Sequence, residues 1–302
     1  DGSYRFSWLW EPVGYQVSFS LPSDSSIGTV TCSDPGLEGY YAAGTTATIT
    51  AVPGTDVRFI RWHGDVPAGH ETDLTIQVVM DGPKTLMPEF ESPWVYANGE
   101  LTDGFWVLNA SGSMDAITVG SAKVNYDLGL LNLAKPVKDG GVITAIGGEA
   151  FRSNTNLREV RLPETLKTIG SWAFIWCSSL TNVVPCLPAS VTSIGENAFY
   201  ECKALASPVR LGFGPEPLTF SSSQQFIRCT SIPDAQIGPG VTALPTSLFD
   251  ECSSLTNATL PEGLVTVGAY AFRKCGKLKT VTPFLPASVT SVGDQAFLSC
   301  GA

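Results

Sequence analysis

Eight cysteines and two histidines are the residues of this chain best suited to chemistry, because thiolates and imidazoles bind metals and act as nucleophiles or bases. Six of the cysteines recur at similar intervals: Cys177, Cys202, Cys229, Cys252, Cys275 and Cys300. No Cys-x-x-Cys pair or nearby histidine accompanies them, which argues against zinc. An even count suits disulfides in a secreted protein, but a fixed repeat position favours a column of free, buried thiols. We therefore expect free thiols, and neither a metal nor a cofactor.

The remaining catalytic patterns are weak. His63 or His70 could form a dyad with Cys32 and make the first module a hydrolase, but a surface histidine on a hairpin is the simpler interpretation. The acidic pair Asp250-Glu251 varies between units (Tyr200-Glu201 stands at the same place in another), so we interpret it as a solvated turn position. The aspartates of the first module do not form an Asp-x-Asp-x-Asp-Gly calcium loop, and phosphate-loop, dinucleotide and serine-elbow motifs are absent from the sequence.

The elements that position the cysteines are revealed by seven phenylalanines. They are Phe151, Phe174, Phe199, Phe226, Phe249, Phe272 and Phe297, and the intervals between them are 23, 25, 27, 23, 23 and 25 residues. A cysteine follows three residues after each of the last six, and Asn154 takes that place in the first unit. Self-similarity at this period predicts a solenoid, in which equivalent residues of successive coils lie over one another. We expect phenylalanine to pack on phenylalanine and cysteine on cysteine.

Each unit combines a Leu-Pro corner, an aliphatic-Gly step and an Ala-Phe-x-x-Cys-x-x-Leu turn. The pattern is clearest from Leu162 to Leu180, from Leu187 to Leu205 and from Leu260 to Leu278. The fourth unit departs from it, since Ser221-Ser222 replace Ile-Gly and Gln225 replaces the alanine before Phe226. The fifth unit has Leu244-Pro245 in place of Ile-Gly. We expect local distortion there, without a break in the stack.

The joint pattern resembles the BspA-like class of leucine-rich repeat proteins over residues 143–302. The resemblance implies a leucine-rich repeat solenoid on a secreted or cell-surface bacterial protein. It also implies adhesion to, or interaction with, host or community molecules.

The first part of the chain lacks this period. Short runs that alternate apolar and polar residues predict strands: Gln16 to Leu21, Gly28 to Cys32, Thr46 to Val52, Val57 to Trp62, Leu74 to Met80, and Thr85 to Phe90. Tyr41-Ala42-Ala43-Gly44-Thr45, then Phe59-Ile60-Arg61-Trp62-His63-Gly64-Asp65, then Met80-Asp81-Gly82-Pro83-Lys84 are similar to divergent internalin-type B-repeat modules. That resemblance implies a small β-rich module of β-grasp-like type.

The predicted fold is therefore mainly β, with a leucine-rich repeat solenoid preceded by a small β-rich domain. We predict a leading segment or linker at 1–15, the B-repeat-like module at 16–92, the N-terminal cap of the solenoid at 93–142 and the repeats at 143–302. In the cap, Phe105 to Leu108, Ile117 to Val119 and Leu128 to Leu133 are expected to be strands. The start at Asp1, without methionine, fits a mature secreted protein or a trimmed one.

Composition excludes two classes of partner. The net charge is −10, so the charge of the chain does not favour binding to nucleic acid or to an anionic membrane. No stretch approaches the ~20 apolar residues that span a bilayer, and we expect no membrane insertion. We also expect a monomer.

Candidate binding residues lie on the outward positions of the repeats. The third and fifth residues from each repeat leucine, counting the leucine as the first, are expected to face solvent. They form the rows Glu159, Asn182, Ser207, Asp234, Asn257, Thr280 and Arg161, Val184, Val209, Gln236, Thr259, Thr282. Trp172 and Trp176 flank Phe174 and form either an exposed aromatic patch or packing against the adjacent coil. Trp8 and Trp10 could form a sugar platform, although a packed strand is favoured.

These observations favour a non-catalytic, extracellular or cell-surface repeat protein that binds a protein or a glycan. The candidate ligand-binding residues are Glu159, Arg161, Asn182, Asp234, Gln236, Asn257, Trp172 and Trp176. The alternative is a structural stalk or spacer in a larger surface protein, and a more distant alternative is a hydrolase that uses the N-terminal module.

Overall fold

The computed structural model describes residues 14–21, 27–33, 40–54, 57–91, 93–103, 106–125 and 129–301. The chain divides into two compact units, Asp1–Ser92 and Pro93–Ala302. The predicted limits at residues 15 and 142 stay predictions, and Trp8, Trp10, Phe105 and Leu128 lie outside the described residues. Within those described segments, no helix is long and apolar enough to cross a bilayer.

The first unit consists of two three-stranded sheets, and each of the six runs identified in the sequence forms a strand. The strands are β1 (Val17–Phe19), β2 (Gly28–Cys32), β3 (Thr46–Pro53), β4 (Arg58–Gly64), β5 (Thr75–Val79) and β6 (Lys84–Glu91). One sheet has the order β1-β6-β4, with β1 parallel to β6, and the other is the antiparallel sheet β2-β3-β5. Ile49, Ile76, Met80, Trp62 and Phe90 are buried in its core. The predicted β-rich N-terminal region is confirmed.

The second unit begins with an antiparallel meander. Its strands are β7 (Val95–Ala97), β8 (Glu100–Thr102), β9 (Trp106–Ser113) and β10 (Ala116–Asn125). The last of them pairs in parallel with the first repeat strand of its sheet. The indole of Trp106 packs edge-on against the Phe151 ring at 6.4 Å between centroids, so the meander supplies the first aromatic contact of the repeat core.

Seven coils follow, and each contributes one strand to face A and one to face B before its phenylalanine turn. The face A strands are β11 (Leu130–Asn132), β13 (Glu159–Arg161), β15 (Asn182–Val184), β17 (Val209–Leu211), β19 (Asp234–Ile237), β21 (Asn257–Thr259) and β23 (Thr280–Thr282). The face B strands are β12 (Ile143–Ile146), β14 (Thr168–Ile169), β16 (Ser193–Ile194), β18 (Thr219–Phe220), β20 (Ala243–Leu244), β22 (Thr266–Val267) and β24 (Ser291–Val292). A 3-10 turn at Lys138–Gly140 joins the two strands of the first coil. The predicted solenoid is confirmed.

The phenylalanines form one continuous column through all seven coils. Successive ring centroids are 5.1–5.7 Å apart and the ring planes are within 21° of parallel. From Phe151 to Phe272 the rings are at most 2% exposed. The backbone N–H of each of these six donates to the carbonyl one residue before the next phenylalanine, at 2.7–3.0 Å. Ring contact and turn hydrogen bonds therefore join every coil to the next, as the phenylalanine spacing predicts.

The cysteines form a second column beside the rings. Each of the six repeat thiols donates a hydrogen bond to the carbonyl oxygen of the phenylalanine one coil earlier, with Sγ···O distances of 2.9–3.1 Å. In the first coil Asn154 takes this place, and its Oδ1 accepts from the backbone N–H groups of Asn156 and Leu157. All eight cysteines are free.

Close stacking explains the glycine that follows several face B strands. A Cβ added to Gly195 would lie 2.2 Å from the backbone nitrogen of Ser171 in the preceding coil. Only glycine accepts such an approach of two backbones without displacement.

Coil 4 is distorted as the sequence predicts, and the distortion has a definite form. Face A is interrupted before this coil, because β15 and β17 are not paired. Face B is interrupted after it, because β18 and β20 are not paired. Coil 4 therefore keeps one sheet ladder with each neighbour, β16–β18 behind it and β17–β19 ahead of it. The stack continues without a break.

Candidate functional site

The two tryptophans occupy special backbone positions. In every coil the residues two before and two after the column phenylalanine have φ between +52° and +68°. These fourteen residues are Glu149, Ser153, Trp172, Trp176, Asn197, Glu201, Gln224, Arg228, Ser247, Glu251, Tyr270, Lys274, Gln295 and Ser299. We call this strip of left-handed residues the turn ridge. Trp172 and Trp176 fill both of its positions in the second coil and are 38% and 40% exposed.

Basic side chains support aromatic rings on the turn ridge. The guanidinium carbon of Arg152 lies 5.1 Å from the Trp176 ring centroid, and the same guanidinium forms an ion pair with Glu149 at 2.8 Å. Four coils further on, Arg273 lies 4.6 Å from the centroid of Tyr270. Such contacts restrict the ring while leaving part of it exposed. An exposed, oriented indole can stack on a sugar ring or pack against an apolar side chain of a protein.

Towards the later coils the turn ridge becomes a ladder of ion pairs. Arg228 bridges Glu201 and Glu251, both at 3.0 Å, and Lys274 approaches Glu251 at 2.7 Å. The hydrogen bond from Arg228 lowers the pKa of Glu201. The hydrogen bond from Lys274, reinforced by Arg228, lowers the pKa of Glu251. These charges satisfy one another and are less available to a ligand than the tryptophans.

The other candidate residues lie on face A, in two separate sheets. In the first sheet Glu159 pairs with Arg161 at 2.8 Å, and Asn182 is in register with Glu159. In the second sheet Gln236 donates to Asp234 at 3.1 Å, and Asn257 is in register with Asp234. Asn182 and Asn257 are exposed, whereas the other four are half-buried. The tryptophans are on the turns and not on this face, so the eight residues do not form one cluster.

Two expectations about exposure are wrong. Val209, expected to face outward, is buried, because it is in register with Ala235 and not with Gln236 of the next coil. This offset of one residue turns the side chains of β17 to the opposite face. Asp250, expected in a solvated position, is 1% exposed. It accepts two hydrogen bonds from Arg273, at 2.9 and 2.6 Å, and this pairing allows the carboxylate to be buried.

Concave surface lies at the Leu-Pro corners between faces A and B. One cavity of about 470 Å³ lies against coils 1 to 3, and Arg161 is the sole candidate residue in its lining. A second, of about 330 Å³, lies between coils 3 and 4 and is lined in part by Cys186, Arg210, Phe213 and Glu164. These four residues are not among the candidate binding residues predicted from the sequence. For Cys186, Arg210 and Phe213, the signal is the longer spacing of the phenylalanines on either side of them, 25 and then 27 residues.

Both histidines of the first unit lie beside carboxylates. Nε2 of His63 lies 2.9 Å from Oε2 of Glu89, and Nδ1 of His70 lies 2.7 Å from Oδ2 of Asp73. Cys32 is exposed on β2, in the other sheet from His63. Among the described residues, no group of three or more His, Cys, Asp or Glu side chains is placed to hold a metal ion.

Two family models match the chain. The BspA type leucine-rich repeat region matches in six copies over residues 141–209 and 186–302, which together exceed half of the chain. The divergent InlB B-repeat domain matches residues 22–93. Both models describe repeat regions. No curated protein matches the chain.

Solved structures with a similar fold are bacterial leucine-rich repeat proteins. A leucine-rich repeat protein of T. pallidum is 23% identical with a TM-score of 0.52, and the match covers 64% of this chain and 85% of that one. A leucine-rich repeat protein of Bacteroides ovatus is 24% identical with a TM-score of 0.47, covering 67% of this chain and 57% of that one. A leucine-rich cell surface protein of Faecalibacterium prausnitzii is 24% identical with a TM-score of 0.41, covering 68% and 53%.

Proposed function

This chain belongs to the BspA-type leucine-rich repeat family, whose members are typically associated with the cell surface, and from this we propose that it binds an extracellular protein or glycan without catalysing a reaction. The observation that carries the proposal is the pair of exposed tryptophans, Trp172 and Trp176, on the turn ridge. Large, oriented aromatic rings on a rigid scaffold provide contact area at a small cost in conformational entropy.

Several features support the turn ridge as the primary binding surface. The guanidinium of Arg152 lies over the Trp176 ring. The other turn-ridge residues differ in type from coil to coil, so the two tryptophans make one place on the repeat surface chemically distinct. The candidate residues of face A provide shorter polar groups that are largely paired within their own strands. We assign them an accessory role.

The test is a glycan and extracellular-matrix protein array probed with the purified chain and with the double variant Trp172→Ala, Trp176→Ala. Binding by the unaltered chain and its loss in the double variant is the expected result. Tyr270→Ala is the matched control, because Tyr270 is also a left-handed turn-ridge residue beside an arginine. Equal binding by all three proteins would contradict the proposed surface, and the absence of any binding would favour a structural stalk or spacer.

A further inference from the structure

The cavity between coils 3 and 4, which we call the corner cavity, exists because these two coils are longer than the others around them. In coil 3 the additional residues follow β15 and include Pro185 and Cys186. In coil 4 the strand β17 is displaced, so the face A ladder is missing between β15 and β17. The corner cavity of about 330 Å³ opens beside this missing ladder. Most of its lining comes from coils 3 and 4, and Glu164 of coil 2 also contributes.

Four aliphatic side chains give the corner cavity an apolar part. Val191, Ile194, Leu211 and Leu218 line it and are each less than 10% exposed. The ring of Phe213 forms part of the wall and is 41% exposed. The volume lies at the lower end of the range for small-ligand sites, and it suits one apolar side chain together with its backbone.

Two side chains of opposite charge in the lining lack an ion-pair partner among the described residues. Arg210 and Glu164 are both exposed, and neither forms an ion pair with any residue that the structure describes. By contrast, Arg161, Arg228 and Arg273 in the same unit all have carboxylate partners. The guanidinium carbon of Arg210 lies 4.7 Å from the Phe213 ring centroid, a contact that orients its hydrogen-bond donors at the apolar wall.

We infer that the corner cavity binds the carboxy-terminal residue of a partner peptide. The guanidinium of Arg210 pairs with the terminal carboxylate, for which its planar fork of donors is suited. The apolar side chain of the terminal residue lies against Leu211 and Leu218. Glu164 accepts a hydrogen bond from a backbone N–H of the peptide. Glu164 distinguishes a peptide from a fatty acid, since a fatty acid has a carboxylate and an apolar chain but no hydrogen-bond donor for Glu164.

Among the described residues that line the corner cavity, none belongs to the turn ridge, so this site goes beyond the proposed function and can be tested separately. Cys186 serves as a reporter, because it is one of the residues that line the cavity. Cys32 is an internal reference, because it is exposed in the first unit. The probe is the peptide acetyl-Ala-Phe with a free carboxylate, compared with the same peptide as its carboxy-terminal amide and with octanoate.

In the full chain, the free-acid peptide is expected to slow alkylation of Cys186, measured by mass spectrometry, and to leave the rate at Cys32 unchanged. In Arg210→Gln, the peptide concentration that gives half-maximal protection should rise about tenfold, the size expected for loss of one charge-assisted pair. Arg158→Gln, an equal charge change at an exposed arginine outside the cavity, should leave it unchanged. The double variant at Trp172 and Trp176 should also retain protection.

Three results would overturn the inference. They are absence of protection by the free-acid peptide, equal protection by the amide, and protection by octanoate equal to that by the peptide. Unaltered protection in Arg210→Gln would likewise remove Arg210 from the site. Circular dichroism of each variant distinguishes loss of binding from loss of fold.

Discussion

Each repeat cysteine does more than fill space, because its thiol donates to the phenylalanine carbonyl of the preceding coil. The position therefore favours a small apolar side chain with one hydrogen-bond donor, and cysteine has both properties. Asn154 has a different role in the first coil, where its Oδ1 accepts hydrogen bonds from the backbone N–H groups of Asn156 and Leu157. At the turn ridge, by contrast, the backbone conformation is fixed while the side chain varies freely.

Thiol reactivity provides a prediction at this scale. Burial raises the pKa of Cys177 to about 12 and that of Cys186 to about 11, and it raises the pKa of Cys229 and Cys252 as well. Because the thiolate is the reactive form, Cys32 should be alkylated first in the folded protein, and the buried column only after unfolding. Peptide-level mass spectrometry of a timed alkylation measures the order. Labelling of Cys252 as fast as Cys32 would contradict it.

The buried pair of Asp250 and Arg273 links two successive turns, and it predicts an asymmetry between neighbouring residues. Arg273→Met should lower the free energy of unfolding by about 2 kcal/mol, since it leaves a carboxylate buried without its partner; the figure is reduced because the arginine is partly exposed. Lys274→Met is the matched control, and it breaks only the exposed pair with Glu251, worth up to about 0.5 kcal/mol. Urea denaturation of both variants measures the difference, and equal effects would contradict the assigned burial.

The ladder of ion pairs on the turn ridge predicts sensitivity to acid. The pKa values of Glu201 and Glu251 are lowered in the folded protein, so their contribution to stability is present above the ordinary glutamate pKa of about 4.3 and is lost as the pH falls through the lowered values. Arg228→Met should reduce this acid-dependent loss. Urea midpoints measured across that pH range test it, with Lys279→Met as a control for the change in net charge. An unchanged pH profile in Arg228→Met would contradict the coupling.

At the scale of strands and sheets, the sequence predicted the coils because phenylalanine spacing reports directly on the turn. It did not predict the burial of Val209, because the residues added before β17 change its register by one position, so that Val209 pairs with the buried Ala235. Nor did it predict the corner cavity. That cavity depends on a ladder that fails to form between β15 and β17, and a single-coil pattern contains no information about pairing between coils.

In the second unit, one kind of contact between coils is continuous and another is interrupted. The ring column and the turn hydrogen bonds join every coil to the next, whereas each sheet is interrupted once, on opposite sides of coil 4. In a linear repeat protein, stability is approximately a sum of neighbour contacts. The steps into and out of coil 4 are therefore the places where cooperativity is weakest.

This predicts that the two ends of the solenoid open separately. Phe272→Ala, which removes a buried ring at a cost of about 3–5 kcal/mol, should increase amide hydrogen exchange in β19 to β24 more than in β12 to β16. Phe174→Ala should produce the reverse pattern. Native-state exchange measured by mass spectrometry compares the two variants, and the same pattern in both would show a single cooperative unit.

The ring column also determines how the protein can change in length. A phenyl ring tolerates sliding against its neighbour, whereas strand pairing requires matched backbone positions, so insertions of two or four residues are accommodated at corners while the rings stay in contact. Duplication or deletion of one entire repeat then leaves a complete core behind. The number of repeats can therefore change by whole units, in evolution or by engineering, without a change in the sequence of the repeats that remain.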